Sequence, residues 1–281
     1  MQPVLLTIKL KKWLLLYLLV LPILALAGND NWHLGARSAG MAHASVTLSD
    51  IWSAHHNQGG LGWLKSPSAG VYFENRFGLK ELSHMGVALA IPIRNGCFGL
   101  NYSSFGWSVY KESKVGLAYA MKFNDKIAGG VQANYHSLRL AGNYGSTMAF
   151  SIESGIQAKV TENLTIGVHV YNPTKTKLND FNDERIPSIM RFGLSYQFSD
   201  KVLVTSEVEK DLEHKAVFKS GLEYIPGKKL YLRGGIATNP GIIAFGFGLK
   251  FDSFKADISS TYHQILGFSP QFSLTYVLGK Q

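Results

Sequence analysis

The feature that most constrains this chain is an alternation of apolar with polar or small residues, period two, recurring from Ala69 to the C-terminus. Such a pattern gives each strand two unlike faces. In residues 188–198, Met190, Phe192, Leu194, Tyr196 and Phe198 share one face, and Arg191, Gly193, Ser195 and Gln197 the other. Ile243, Phe245, Phe247, Leu249 and Phe251 stand in the same way against Ala244, Gly246, Gly248 and Lys250. Most runs are about ten residues long, which suits a strand tilted across a bilayer and exceeds the usual soluble strand. After residue 27 no apolar run approaches the ~20 residues that a membrane-spanning helix needs. If this chain crosses a membrane, it must cross as strands.

The alternation predicts about fourteen strands, centred near Phe73, Leu89, Leu100, Leu117, Ala133, Ile152, Val168, Leu194, Val204, Gly221, Leu232, Phe247, Ile258 and Leu274. Connections after even-numbered strands are tight, as at Arg94-Asn95-Gly96, Asn124-Asp125-Lys126, Ser199-Asp200 and Asp252-Ser253. Those after odd-numbered strands are longer on the whole, notably 138–146 and 172–187. Outer-membrane barrels are built with short turns on the periplasmic side and longer loops outside. A soluble β-sandwich would show the same alternation. Turn parity, strand length and the aromatic residues Phe123, Phe198 and Phe251 ahead of polar or charged turns favour the membrane form. The expected fold class is therefore all-β: a transmembrane antiparallel β-barrel of about fourteen strands with an N-terminal hatch segment. It would lie in the outer membrane of a diderm bacterium, surrounded by outer-membrane lipid, with both termini periplasmic.

Residues 1–27 read as a signal peptide. Lys9, Lys11 and Lys12 precede the apolar stretch 13–24, and Ala25-Leu26-Ala27 supplies a small-x-small cleavage site. Residues 28–68 form the hatch segment and 69–281 the barrel. The chain carries a formal charge of +9, scattered and without an arginine-rich stripe, so nucleic-acid binding is not indicated. The single Cys97 excludes an internal disulfide framework.

The hatch segment breaks the strand pattern. It is rich in small residues, reads as compact and partly helical, and turns at Gly59-Gly60. Its residues Gly35, Ala36, Arg37, Gly40, Met41, Asp50, Ala54, Asn57, Gly60 and Leu61 resemble the opening motif of the FadL/TodX superfamily of outer-membrane barrels, and within it the PorV/PorQ branch. Gln58 and Gly59 stand where that motif carries Pro-Ala. The resemblance implies a fourteen-stranded barrel plugged by a hatch. In the hydrocarbon-channel branch it implies passage of hydrophobic small-molecule ligands. In the PorV/PorQ branch it implies a non-catalytic component of a type IX secretion or surface-assembly complex, with secretion-apparatus or surface proteins as partners. Short outer loops leave little room for an extended ligand-binding region, so the expectation leans to the secretion component, with transport as the alternative.

No catalytic constellation, metal site or cofactor motif is expected. His169 and His263 fall on the inner face, yet no Ser-His-Asp set can be placed, and barrel interiors are polar in any case. His55-His56 lacks the spaced partners of a metal site. Gly246 and Gly248 alternate within a strand, where they would let the hatch or neighbouring side chains approach the wall. Arg191, Glu207, Glu209, Lys219, Glu223, Arg233, Lys255 and Asp257 all fall on the polar phase, and are expected to pair across strands, with Arg37 and Asp50 docking onto them.

Overall fold

The computed structural model describes residues 31–141, 145–179 and 184–279; the expected signal peptide lies outside them. The strands are β1 (Ser68–Asn75), β2 (Ser83–Ile93), β3 (Gly96–Gly106), β4 (Tyr110–Lys122), β5 (Ile127–Leu140) and β6 (Ser146–Lys159). They continue with β7 (Leu164–Tyr171), β8 (Lys177–Asn179), β9 (Glu184–Arg185), β10 (Ile189–Ser199), β11 (Val202–Asp211) and β12 (Val217–Tyr224). The last four are β13 (Leu230–Ala237), β14 (Ile242–Phe251), β15 (Phe254–His263) and β16 (Gly267–Val277). Strands β8 and β9 make a small ribbon in the longest connection, and the other fourteen close into one antiparallel barrel. Every expected strand centre falls within one of these fourteen.

Closure is made by β1 against β16, where Ser68 faces Val277 in register. Both ends of the barrel sequence therefore meet at one rim, the rim that carries the tight turns after β2, β4, β6, β10, β12 and β14. A closed barrel leaves no edge strand with unpaired backbone groups, which is what a hydrocarbon environment demands.

The two faces of the wall differ as the alternation requires. Phe150, Phe192, Leu117 and Ile258 point outward and are exposed, whereas Arg191, Glu207, Ser195 and Asp257 on the opposite phase are buried. Phe123, Phe198 and Phe251 stand exposed on the outside, at the ends of strands beside the tight turns. No helix among the described residues is long and apolar enough to span a membrane.

Residues 31–67 fill the lumen. They contain helical turns at Ala36–Ala39 and Ser53–His56 and a 3-10 turn at Gln58–Trp63. Leu34, Met41, Trp52, Ala54 and Leu61 are fully buried there. Leu34, Trp52 and Leu61 pack with Tyr72, Ala88 and Ala118 of the inner wall. The segment expected to bend at Gly59-Gly60 instead continues through them as the 3-10 turn, and neither glycine has a positive φ. Gly59 is needed for approach: a Cβ there would lie 2.9 Å from the backbone nitrogen of Gln157.

Candidate functional site

The functional question concerns the fit between hatch and wall. Small inner-face residues form the seat. A Cβ on Gly221 would lie 2.4 Å from Cβ of Met41, and one on Gly235 would lie 2.4 Å from the Met41 carbonyl carbon. Gly246 faces Gly40, 3.1 Å from its would-be Cβ to the Gly40 Cα. Gly248 gives space to the side chains of Asp257 and Arg233. Gly221, Gly235 and Gly246 let the hatch backbone lie against the wall.

Asn57 pins the hatch to the opposite side of the lumen. Its Nδ2 donates to the carbonyl oxygens of Val46 (2.7 Å), Ile156 (3.2 Å) and Val168 (3.3 Å), and its Oδ1 accepts from the Gly59 N–H at 3.0 Å. Leu61 sits against Gly99, and Gly60 against Ser53 and the Leu48 carbonyl. Gly35, at φ +93°, packs on the Trp52 ring, and the Ala36 N–H donates to Ser273 Oγ at 3.3 Å.

Charge holds the rest. Arg37 reaches Glu223 through two nitrogens, at 3.0 and 2.7 Å, and Glu223 also accepts from Arg233, which donates in turn to Asp257 at 2.8 Å. Lys219 bridges Glu207 (3.2 Å) and Glu209 (2.9 Å), and Arg191 contacts Glu209. Glu207 also accepts the N–H groups of Ser45 and Val46, each at 2.8 Å, so the hatch backbone is tied directly to a wall carboxylate. Among the described residues Asp50 pairs with Arg37 inside the hatch, at 3.0 Å, and with no wall charge. Lys255 departs from the expected pairing. It stands opposite Lys250 in register, and its Nζ lies 4.1 Å from the centre of the Tyr231 ring.

A second network lies on the other side of the lumen. Glu153, fully buried, accepts from Gln132 (2.6 Å), Asn134 (2.9 Å), Lys114 (3.4 Å) and His169 (2.9 Å). Its signal in the sequence was the polar phase of β4, β5 and β6, which a search for opposite charges passes over because most of its members are neutral. Within it His136 Nε2 and Ser151 Oγ lie 2.8 Å apart. Both are buried, and the void beside Lys114 and Tyr171 measures about 20 Å³, room for one water and for no substrate. His263 lies at the loop rim instead, where its Nδ1 accepts from the Ile265 and Leu266 N–H groups. His33, Glu207 and Glu209 come close enough to share a metal ion, but Lys219 Nζ already sits among them, 3.2 Å from His33 Nε2. The ammonium supplies the cation there.

The hatch brings a cluster of histidines together. His33 and His43 stack at 4.6 Å, and His56 lies 5.9 Å from His55 and 6.2 Å from His33. His55 and His56 bond to the backbone of the stretch before the first helical turn, at the Trp32 and Leu34 carbonyls. Burial lowers all four; it holds His43 near 3, helped by Lys219, and His56 near 4. Because these values lie below the unfolded one, neutral histidine favours the seated hatch above pH ~6.5, and that contribution is lost as pH falls toward the folded values. At pH 5 the loss is on the order of 2 kcal/mol for His56 taken singly. Hydrogen exchange, corrected for intrinsic rates, should quicken in residues 31–67 between pH 7 and pH 5 while strand amides stay protected. Equal protection at both pH values would refute this.

Two hollows remain. One, of about 660 Å³, opens at the tight-turn rim; its border mixes Ile51, Trp52, Trp63 and Leu64 with polar and basic residues such as Ser68 and Lys65, and includes the Arg37–Asp50 pair. The other, of about 340 Å³, is on the wall, where Ser206 and Ser220 interrupt the outward apolar phase between Leu194 and Ile236. Strand pairing beneath it is unbroken, so it is no lateral door.

No family model matches the chain, and no curated protein matches it. Solved structures do. CymD, a monoaromatic hydrocarbon channel, superposes with a TM-score of 0.68 at 13% identity, covering 90% of this chain and 98% of its own. The fold is that of the hydrocarbon channels. The Ralstonia pickettii toluene transporter TbuX gives a TM-score of 0.65 at 14% identity, covering 91% of this chain and 98% of its own. A Pseudomonas aeruginosa FadL homologue gives 0.60 at 13% identity, covering 87% and 98%. Coverage of this extent takes in more than the barrel strands alone. The likeness falls with the FadL/TodX barrels; nothing in it points to the PorV/PorQ branch.

Proposed function

We propose that this chain is a channel for small hydrophobic molecules in the outer membrane of a diderm bacterium, closed at rest by residues 31–67. The observation that carries this is a fourteen-stranded barrel whose lumen is stoppered by its own N-terminal segment, in a fold shared with a toluene transporter. A polar, hydrogen-bonded stopper blocks ions and sugars, and the apolar part of the rim hollow's border offers a hydrocarbon a place to rest. In this orientation the tight turns and the C-terminal end of the barrel face the periplasm, following the usual loop asymmetry, while the first described hatch residues, Asn31 and Trp32, lie toward the long-loop rim beside Lys114 and Phe105. The secretion-complex expectation finds no support in the fold or in its neighbours, and the transport alternative takes its place.

Crystals soaked in bromobenzene test the reading. Anomalous bromine peaks should appear in the hollow beside Ile51, Trp52, Trp63 and Leu64. Peaks confined to the lipid-facing wall would sink it.

A further inference from the structure

Positive charge gathers at one rim of the barrel. Counted in the sequence from the last residue of one strand to the first of the next, the six tight turns hold seven basic and four acidic residues. The seven connections at the opposite rim, taking β7 to β10 as one, hold six of each. The excess continues just inside the tight-turn mouth. Lys122 follows Ala118 and Ala120 on the inward phase of β4, and Lys159 follows Gln157 on that of β6. Their ammoniums lie 5.2 and 4.1 Å from the centre of the Trp63 ring, where the hatch leaves the lumen, and Lys65 comes two residues later. Lys126 stands in the adjoining turn, and its carbonyl oxygen accepts from the Lys159 N–H at 2.7 Å. All four lysines are exposed, and none forms an ion pair among the described residues. Asp125 and Glu162, the acids of these two turns, pair with none of them. On another arc of the mouth Lys250 and Lys255 stand side by side in register.

Cations held on one surface without acceptors repel one another, and their field reaches into solution over about a Debye length, ~8 Å at physiological salt. Phase decides what they can meet. Lys122 and Lys159 border the mouth and not the lipid-facing wall, so headgroups of the surrounding leaflet are not their natural partners. Exposed and separate ammoniums hold a single inorganic ion only weakly. A larger surface that carries several carboxylates can answer all of them at once, and complementary charge would steer it to this rim. Trp63, half-buried among the lysines, is of a residue type enriched at the energetic centres of protein interfaces.

We propose that the tight-turn mouth docks an acidic segment of a soluble periplasmic protein, its carboxylates meeting Lys65, Lys122, Lys126 and Lys159 around Trp63. The inference rests on the orientation given above and not on the passage of any solute.

The test is fluorescence anisotropy of a labelled deca-glutamate peptide titrated with the purified full chain in detergent. Lys122→Gln with Lys159→Gln should weaken binding by about tenfold, and the paired arginine replacements should restore it, which separates loss of charge from damage to the fold. Lys80→Gln with Lys215→Gln removes the same charge at the opposite rim, where Lys80 also lies over an indole, that of Trp107, at 4.2 Å. That pair should bind as the wild type does. Undiminished binding in the mouth pair, an equal loss in both pairs, or displacement by inorganic phosphate at matching concentrations would each overturn the proposal. Phosphatidylglycerol retained by the wild-type chain and lost from the mouth pair, read by native mass spectrometry, would assign these lysines to lipid and overturn it as well. In cells, Lys126→Cys should react with a membrane-impermeant maleimide only after the outer membrane is opened; reaction in intact cells would place the mouth outside and exclude a periplasmic partner. Bromobenzene absent from the crystals alongside mouth-dependent peptide binding would reject transport and leave this docking surface standing.

Discussion

Gly235→Leu should convert a silent barrel into a conducting one. A Cβ at this position meets the Met41 carbonyl carbon at 2.4 Å and the Ala42 nitrogen at 2.6 Å, both backbone atoms that no rotamer change can move aside. Gly221, its partner in register, is equally tight against Met41, so the neighbouring strand offers no relief. One of the two elements must move. The wall is held by continuous ladders on both sides of β13, whereas the hatch is held by side-chain contacts at separate points. The hatch therefore gives way. In planar bilayers the wild-type chain should show no steady current and Gly235→Leu should open in discrete steps, with the folded barrel still resisting SDS before boiling. Gly234→Leu is the matched control. That residue faces outward, and its added Cβ would meet nothing nearer than the Ala244 carbonyl oxygen at 4.0 Å. Silence in both variants would mean that the contact at Met41 does not decide closure.

Glu153→Leu should be the most destabilising single change in the lumen. The carboxylate is fully buried and accepts from four side chains. Without it the Lys114 ammonium, itself buried, keeps among the described residues the neutral Asn31 Oδ1 at 3.0 Å and the Tyr171 ring at 5.1 Å, and no counter-charge. Breaking a buried pair by removing one partner costs about 3–5 kcal/mol, because the charge that stays behind is uncompensated. Replacing both partners can be nearly neutral, so Glu153→Leu with Lys114→Met should recover most of the loss. Urea unfolding in detergent micelles, followed by tryptophan fluorescence, gives both values. A single-variant loss below about 1 kcal/mol, the scale of an exposed pair, would show that the network is solvated and of little consequence.

The strands and their two faces were legible because a period of two survives any error in where a strand begins: Arg191 and Phe192 face opposite ways however the ends are drawn. The count of fourteen was legible from the number of alternating runs, and the parity of the turns required that it be even. Register was not. Lys255 falls on the polar phase, as do the acids expected to answer it, but only the alignment of β14 with β15 reveals that Lys250 is its neighbour. The hatch was legible as a break in pattern and as a motif, while its internal conformation depends on approach distances that have no signature in one sequence. Gly59 reads as a turn residue, and its actual office is to let the chain pass close to Gln157. The Glu153 network escaped for a related reason. Gln132, Asn134 and His169 look like ordinary lumen filling until their side chains are seen to converge on one carboxylate. The rim hollow, built from hatch and wall together, has no linear trace at all.

The most direct test of a closed channel for hydrophobic solutes is the initial rate of labelled toluene uptake by cells with an intact outer membrane, with and without this chain. Uptake should be faster when the wild-type chain is present, while uptake of a labelled disaccharide through the same membrane stays unchanged. Equal toluene rates in the two strains, or a parallel rise in disaccharide entry, would contradict a hatch-gated path for apolar molecules.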